Sequence, residues 1–280
     1  MIADPLVDRL VALALEEDLA LGDVTTDATI DAETRGIGRL AAKETLIVAG
    51  QGVAERVFAA VDSDIVVEWQ VAEGSEVGPG DVIGLVHGRV RSLLKAERPA
   101  LNFMQRLSGT ATLSRRFADA VKGTGARVVD TRKTTPGWRT LEKRAVTAGG
   151  CYNHRWSLGS GILIKDNHVD SGGGVAATIE RVREYAPHGL KVEIEVRDEQ
   201  ELDEALGAGA DIVLLDNMDL ATLKRCADKT RAAGALSEAS GGVTLDTVRA
   251  IAEAGVDLIS SGALTHSAPS MDVHMKVKPV

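Results

Sequence analysis

Positively charged side chains are concentrated in one stretch of an otherwise acidic chain. Residues 127–168 contain eight lysines and arginines against three acids, a net charge of +5, whereas the whole chain of 280 residues carries −9. Because salt screens charges over roughly 8 Å, a local cationic pocket can attract an anion although the protein as a whole is negative. The stretch therefore predicts a binding site for a small acidic molecule. The alternative is a pair of solvated helix faces.

Polar residues also follow the predicted β-strands, at the point where each strand ends. Five apolar, β-branched runs begin at Arg127, Ile162, Lys191, Asp211 and Asp257, with helical patterns between them. In a parallel β/α barrel the carboxyl ends of all strands meet at one mouth. The polar groups at these ends are Asp130 to Lys133, Lys165 to His168, Glu193 with Glu195, Asp216 with Asn217, Glu238 with Ser240 to Gly242, and Ser260 to Ala263. Strand caps explain one or two such clusters, and six favour a shared site.

Two of these clusters are rich in small residues. Ser240, Gly241 and Gly242 form one, and Ser261, Gly262 and Ala263 form the other. Small residues let backbone N–H groups approach an anion, and the helices expected after them would add positive N-terminal ends. The two loops together predict a phosphate site, although a glycine-rich turn alone is more often only a turn.

The elements that must position these groups fall into two halves. In the first, Asp4 and Pro5 begin a helix whose apolar positions are Leu6, Leu10, Leu13 and Ala14, and residues 22–27 end it. Residues 36–88 then predict a small, mostly antiparallel sheet, and residues 92–107 a helix. The second half alternates strands and helices, which indicates a parallel sheet covered by helices. The number of repeats favours a barrel over an open doubly wound sheet, since no GxGxxG motif opens a helix after the first strand.

Composition excludes several classes of protein. No stretch approaches the roughly 18 uncharged apolar residues of a membrane helix, and early charges interrupt any signal peptide. The net charge of −9 argues against a nucleic-acid or membrane-surface binder. Cys151 and Cys226 lack the spacing of a disulfide framework or a structural zinc site and are expected to be reduced thiols. A cytoplasmic location is therefore expected.

Several motifs resemble the quinolinate phosphoribosyltransferase family, also called carboxylating nicotinate-nucleotide pyrophosphorylases. They are DTRKTTPGWRTLEKRAVTAGG (130–150), NHRWSLGSGILIKDNH (153–168), EIEV (193–196), LLDNM (214–218), EASGGV (238–243) and GVDLISSGALTHSAPSMDV (255–273), together with GDVTTD (22–27) and ERPALNFMQRLSG (97–109). The resemblance implies an N-terminal α/β sandwich at residues 1–108, an incomplete parallel β/α barrel at 109–265, and a C-terminal segment, 266–280, that returns to the first domain. One position departs from the family pattern: Ser160 stands where an aspartate is expected.

The reaction implied by the resemblance joins quinolinate to phosphoribosyl pyrophosphate and releases pyrophosphate and CO2, giving nicotinate mononucleotide for NAD biosynthesis. Arginine forks suit the two carboxylates of quinolinate. By resemblance, quinolinate would be held by Arg132, His154, Arg155 and Lys165, pyrophosphate by Lys133 with Thr134, and the 5′-phosphate by Ser240, Gly241, Gly242, Ser261, Gly262 and Ala263.

The same resemblance implies catalytic groups, a metal and an oligomer. Lys165, Glu195 and Asp216 would be catalytic, and the two carboxylates would stabilise an oxocarbenium-like ribose centre. They would also hold ribose hydroxyls directly or through Mg²⁺, which binds few protein carboxylates together with substrate oxygens. Arg98 would be supplied by a neighbouring subunit, which makes a homodimer, or a hexamer built from dimers, a requirement for activity.

Three alternatives stay open at this stage. A related phosphoribosyltransferase acting on another aromatic acid would need fewer arginines. A barrel lyase would use Lys165 as a Schiff-base nucleophile. A carrier module is suggested by residues 71–88, which resemble the turn pattern of biotinyl and lipoyl domains but have no modifiable lysine nearby.

Overall fold

The computed structural model describes residues 4–280. Its helices are α1 (Pro5–Leu19), α2 (Val24–Thr29), α3 (Gln51–Val61), α4 (Val90–Ala120), α5 (Arg139–Ala148), α6 (Asp166–Gly172), α7 (Val175–Tyr185), α8 (Glu199–Gly207), α9 (Leu220–Ala232), α10 (Val248–Glu253) and α11 (Ala263–His266). Its strands are β1 (Arg35–Ala42), β2 (Leu46–Ile47), β3 (Val66–Trp69), β4 (Glu76–Val77), β5 (Val82–Arg89), β6 (Arg127–Val129), β7 (Ile162–Ile164), β8 (Val192–Val196), β9 (Ile212–Asp216), β10 (Leu236–Ser240), β11 (Leu258–Ser260) and β12 (Val273–Pro279).

These elements form two compact units. The first comprises the described residues as far as Arg115, with Thr134–Gly150 and Ser267–Val280. The second comprises Arg116–Lys133 and Cys151–His266. The predicted domain boundary after residue 108 falls within α4, and the predicted division into residues 1–108 with 266–280 and residues 109–265 stays a prediction; residues 1–3 lie outside the described residues. The two compact units group α5 with the first unit instead. The grouping differs because Leu141 and Ala145 of α5 pack into the apolar core of the first unit.

The first helix forms where it was predicted. Asp4 accepts a hydrogen bond from the Val7 amide, and Pro5 is the first helical residue. Of the predicted apolar positions, Leu10 and Ala14 pack against the core beside the buried Val7 and Val11, whereas Leu6 and Leu13 are 42% and 61% exposed. The leucine pattern therefore identified the helix and only part of its packed face.

An antiparallel sheet is the centre of the first unit. Among the described residues its strand order is β12-β1-β5-β3, with every neighbouring pair antiparallel. The predicted sheet is therefore confirmed, and so is the return of the C-terminal segment, since β12 pairs with β1 from Val273↔Ala42 to Pro279↔Gly36. Val77, Ile83 and Val86 belong to the core of this unit. Residues 71–88 are thus part of the first unit and not a separate carrier domain.

A parallel sheet forms the second unit. Within the described residues its order is β6-β11-β10-β9-β8-β7, and every neighbouring pair is parallel. This is the cyclic order of a β/α barrel that is not sealed between β6 and β7, which confirms the predicted incomplete barrel. The five apolar runs identified β6, β7, β8, β9 and β11. The sixth strand, β10, has the sequence LSEAS, which gave no apolar run, so only the polar cluster at its end marked it.

Across residues 4–280, none of the helices is both long enough and apolar enough to cross a membrane.

Candidate active site

The second unit gathers the basic residues at one end of its sheet. A cavity of about 290 Å³, called the mouth cavity below, is lined by Arg132, Lys133, Arg155 and Lys165. Arg132 and Lys133 follow β6, Lys165 follows β7, and Arg155 lies in the connection between these strands. Ser240 at the end of β10 and Ser260 at the end of β11 line the same cavity. The mouth is therefore the cationic strand-end site expected for this barrel.

Strand register places the carboxylates on the inner face of the sheet. Glu193 pairs with Ile212, and Glu195 pairs with Leu214. Because side chains two residues apart share one face of a strand, Glu195 lies on the same side as Glu193, and Asp216 on the same side as Leu214. Leu214 lines the mouth cavity, so Asp216 lies beyond it at the carboxyl end of β9.

Lys165 is held on both its backbone and its side chain. Its Nζ makes an ion pair with Glu195 Oε2, and its backbone amide donates to His168 Nδ1 at 2.9 Å. His168 thus fixes the residue that directly precedes α6. The ion pair presents Lys165 as a cation, whereas a Schiff-base nucleophile needs a neutral amine.

Arg155 is a half-buried cation beside another arginine. Its Nη1 donates to the Gly161 carbonyl at 3.1 Å. Burial, and then the charge of Arg132, lower the pKa of Arg155. Two guanidinium groups close enough to repel each other favour an anion between them, which is what a dicarboxylate ligand supplies.

His154 contacts two buried carboxylates to which the sequence analysis gave no role. Its Nε2 lies 3.1 Å from Glu193 Oε2 and 3.5 Å from Glu238 Oε2. Burial alone would lower the pKa of His154, but its contacts with Glu193 and Glu238 and the charges of these carboxylates outweigh burial and raise the pKa to about 10. Burial also raises the pKa of Glu193. The sequence already placed both carboxylates among the strand-end polar groups, but nothing in it indicated that they contact His154.

The other ring nitrogen of His154 accepts a hydrogen bond. Arg155 donates its backbone amide to His154 Nδ1 at 2.7 Å, which places the ring proton on Nε2, facing the carboxylates. The two carboxylates favour the imidazolium, whereas the Arg155 amide requires an unprotonated Nδ1. Protonation of Nδ1 must therefore break the hydrogen bond from the Arg155 amide. Although His154, Glu193 and Glu238 are close enough to hold a metal ion, a protonated Nε2 offers it no lone pair.

The loop after β10 has the backbone of a phosphate site. Gly241 and Gly242 have φ of +91° and +60°, which side chains rarely adopt. The loop does not lead directly into a helix as expected, since α10 begins only at Val248, after a turn in which the Thr244 amide donates to Thr247 Oγ1. Any anion here would therefore depend on the loop amides rather than on a helix terminus.

The loop after β11 does continue directly into α11, at Ala263. Ser261 uses both donors within the unit, its amide to the Val129 carbonyl at 3.0 Å and its hydroxyl to the Val243 carbonyl at 3.4 Å. Gly262 is required by packing, because a Cβ there would lie 2.9 Å from Lys133 Cδ and from His266 Nε2. The positions of this loop whose backbone amides could bind an anion are thus Gly262 and Ala263, rather than Ser261.

Several predicted site residues belong to the first unit or have other partners. Lys133 is anchored by its carbonyl, which accepts from Thr265 Oγ1 at 2.8 Å. Thr134 belongs to the first unit, where its Oγ1 accepts from Arg139 Nε at 3.1 Å. Arg98 is exposed on the part of α4 in the first unit. Lys143 is fully buried and so does not fit the suggested solvated helix face.

Ser160 stands in place of the expected aspartate and accepts hydrogen bonds from the backbone in a similar way. Its Oγ accepts from the amides of Trp156 at 2.8 Å and Ser157 at 2.9 Å. An aspartate in a turn accepts backbone amides in the same way. The departure therefore leaves the loop between Arg155 and β7 closed.

Two family descriptions match most of the chain. "Quinolinate phosphoribosyl transferase, N-terminal domain" matches residues 23–108, and the C-terminal domain of the same enzyme matches residues 110–276. The chain belongs to the quinolinate phosphoribosyltransferase family.

Members of this family from bacteria and plants are similar over nearly the whole length. A probable carboxylating nicotinate-nucleotide pyrophosphorylase of Bacillus subtilis is 40% identical over 261 residues, 93% of this chain and 90% of the relative. The decarboxylating quinolinate phosphoribosyltransferase 2b, mitochondrial, of Nicotiana tabacum is 40% identical over 288 residues, 96% of this chain and 81% of the relative. The crystal structure of NadC from Streptococcus pyogenes is 38% identical, with a TM-score of 0.95 and coverage of 100% of this chain and 99% of that one.

The family fold is therefore the fold of this chain, with an N-terminal α/β domain, a parallel barrel sheet and the C-terminal return.

Proposed function

We propose that this chain is a decarboxylating quinolinate phosphoribosyltransferase whose mouth cavity binds quinolinate and phosphoribosyl pyrophosphate. The observation that carries the proposal is the convergence of Arg132, Lys133, Arg155 and Lys165 on one cavity in a protein of net charge −9. Membership of the family and about 40% identity to enzymes named for this reaction support the same activity.

Quinolinate binding follows from the geometry of the arginines. Its two adjacent carboxylates match the forks of Arg132 and Arg155, with Lys165 and His154 beside them. Each charged hydrogen bond is worth on the order of 1.5–3 kcal/mol. Lys133 would meet the pyrophosphate, and Thr134 would support it from the neighbouring position in the sequence. A related enzyme for a monocarboxylate would leave part of this charge unpaired, which favours the dicarboxylate.

The chemistry requires charge stabilisation more than a protein base. The pyridine nitrogen bonds to ribose C1 as pyrophosphate leaves, and the cationic ribose centre of the transition state is stabilised by Glu195 and Asp216. The ring nitrogen then carries a positive charge. When the C2 carboxylate leaves as CO2, the electron pair that remains on C2 is stabilised by that charge, and C2 then takes up a proton. Amides at Gly241, Gly242, Gly262 and Ala263 would hold the 5′-phosphate, with Ser240 and Ser261 shaping the loops.

Magnesium belongs to the same proposal. Glu195 and Asp216 are oxygen donors at the mouth, which suits an ion that combines few carboxylates with phosphate oxygens, whereas the group around His154 includes a protonated nitrogen. Bound Mg²⁺ would neutralise charge on the departing pyrophosphate. The residues themselves orient the ribose hydroxyls and leave room for substrate oxygens.

The oligomer and its shared site are also proposed. Arg98 is exposed on the first unit, whereas the residues that line the mouth cavity all belong to the second. An arginine inserted from a partner subunit would complete the quinolinate site, so a homodimer, or a hexamer built from dimers, is the expected active form. A cytoplasmic location is part of the same proposal, supported by two buried cysteines that form no disulfide.

One assay tests the proposed function. Purified protein with Mg²⁺ and phosphoribosyl pyrophosphate should release CO2 and pyrophosphate in equal amounts from quinolinate, and neither product at a comparable rate from nicotinate. Equal turnover of nicotinate would instead identify a phosphoribosyltransferase for another aromatic acid. Borohydride trapping with carbonyl substrates should leave Lys165 unmodified.

A further inference from the structure

Asn217 connects the two parts of the site that would hold the ribose and the 5′-phosphate. It directly follows Asp216 at the end of β9, and its backbone amide donates to the Ser240 carbonyl at 2.9 Å, at the start of the glycine loop after β10. It is exposed, so burial of its side chain does not explain its position.

Its side-chain amide faces a different group on each side. Nδ2 donates to Asp216 Oδ2 at 2.7 Å. Oδ1 lies 2.1 Å from the place where a Cβ on residue 241 would be, so it occupies space that only a glycine leaves open. The reverse orientation would set the amide oxygen against a carboxylate oxygen, and repulsion therefore fixes this one.

The backbone of Asn217 is also unusual. Its φ of +53° is the single positive value of a residue other than glycine among those the structure describes. Left-handed backbone is unfavourable for most side chains, and asparagine tolerates it better than most. Glycine would adopt it more easily still. A glycine would therefore satisfy the backbone, and the amide group must be explained by what it contacts.

We propose that Asn217 is a positioning residue that fixes the Asp216 carboxylate relative to the Ser240–Gly242 loop, so that ribose and 5′-phosphate are held in register. This inference rests on the proposed function. It adds a residue that acts through Asp216 and Gly241. One amide makes both contacts, so a shift of the loop would also move the carboxylate.

Three variants separate the amide from the backbone. Asn217→Gly keeps the left-handed backbone and removes the amide. Asn217→Ala removes the amide and adds backbone strain. Asn217→Asp keeps size and backbone tolerance but replaces the donor with an oxygen that repels Asp216. Thermal unfolding of each variant shows which of them are folded before kinetics are compared.

Kinetics in Mg²⁺ with both substrates then test the role. The proposal expects Asn217→Gly to unfold at or above the wild-type temperature and yet to lose about 10-fold or more in kcat/KM for phosphoribosyl pyrophosphate, as for loss of a group that orients a catalytic one. Quinolinate affinity, measured by direct binding without the second substrate, should change less than about 2-fold, within the scatter of a site that is not touched. Asn217→Asp should be the most impaired of the three.

Each outcome decides one question. If Asn217→Gly is stable and has wild-type rates, the positioning role is overturned. It is also overturned if kcat/KM for phosphoribosyl pyrophosphate and affinity for quinolinate fall by the same factor. If Asn217→Ala is impaired in proportion to its lower stability while Asn217→Gly is not, the residue serves the backbone alone and the inference is wrong. Absence of quinolinate turnover by the wild-type protein would refute the proposed function instead.

Discussion

His154 Nε2, in the connection between α5 and β7, lies 3.1 Å from Oε2 of Glu193 on β8. Glu238 Oε2 lies 3.5 Å from the same nitrogen, and Glu238 is 1% exposed and accepts no hydrogen bond within residues 4–280 that meets normal geometry. Asp130 also accepts the His154 backbone amide, at 2.9 Å. Since a buried carboxylate without a partner is costly, His154 is the group on which this charge balance depends.

The pH dependence of stability should report this balance. The carboxylates raise the pKa of His154 from 6.5 to about 10, so the stabilisation is complete below pH 6.5 and is lost as pH rises toward 10. We expect the free energy of unfolding in urea to fall across this window, and to fall less in Glu238→Gln, which removes one of the two charges. If the free energy of unfolding changes with pH equally in the wild type and in Glu238→Gln, the pairing of His154 with Glu238 is contradicted. A neutral His154 ring held by the Arg155 amide is then favoured.

Arg155 should govern affinity for quinolinate. Arg155→Ala removes a half-buried fork and should weaken quinolinate binding by about 10- to 100-fold, the equivalent of one charged hydrogen bond or more. Binding of phosphoribosyl pyrophosphate should stay within about 2-fold, because its proposed contacts lie on other loops. Arg132→Ala should weaken quinolinate binding by a similar factor. Isothermal titration measures both ligands, and Lys224→Ala, an exposed cation on α9, is the matched charge control. Unaltered quinolinate affinity in Arg155→Ala would refute the carboxylate assignment.

Glu195 should affect turnover more than binding. Glu195→Gln keeps the shape of the side chain but removes the charge proposed to face the ribose centre, so kcat should fall by about 100-fold, as for other preorganised electrostatic groups. Because Lys165 loses its ion-pair partner, affinity for the dicarboxylate should be retained or rise. Steady-state kinetics at saturating Mg²⁺ separate kcat from KM. An unchanged kcat would remove Glu195 from the catalytic set.

The sequence predicted the fold and the charged mouth better than it predicted individual contacts. Continuous apolar, β-branched runs identify buried strands directly, and strand ends of a parallel barrel must meet, so Arg132 and Lys165 could be placed together from local patterns alone. The strand Leu236–Ser240 gave no such pattern because Ser237 and Glu238 face the interior as polar residues. Its membership follows only from pairing with β9 and β11.

Long-range side-chain contacts were beyond sequence reasoning for a different reason. His154 and Glu193 are 39 residues apart, and nothing local to either indicates the other. The left-handed backbone of Asn217 was equally hidden, since asparagine after a strand fits many turns. By contrast, the sequence alone shows that Ser160 replaces an expected aspartate. Only the structure shows that the Ser160 hydroxyl accepts hydrogen bonds from the amides of Trp156 and Ser157.

Ser160 offers a direct test of that loop. Ser160→Ala removes an acceptor from two backbone amides and should cost about 1 kcal/mol of stability, as other lost caps do. It should also weaken quinolinate binding, because the neighbouring Gly161 carbonyl holds Arg155. Ser160→Asp should retain both properties, since a carboxylate accepts the same amides. Urea unfolding and quinolinate titration of the two variants provide the comparison. Equal behaviour of alanine and aspartate would show that the hydroxyl does not hold the loop.

Arg98 is the residue through which the oligomer can be tested. If a partner subunit supplies Arg98 to a mouth cavity that contains Lys165, then Arg98→Ala and Lys165→Ala damage complementary halves of one site. Each variant alone should be inactive. After mixing and subunit exchange, a random dimer population should recover about a quarter of wild-type activity, because half the dimers are hybrids and each hybrid has one intact site. Gel filtration should show the oligomer for both variants. Mixed protein that exchanges subunits, as labelled chains would show, but stays inactive would place Arg98 in the site of its own chain or outside any site.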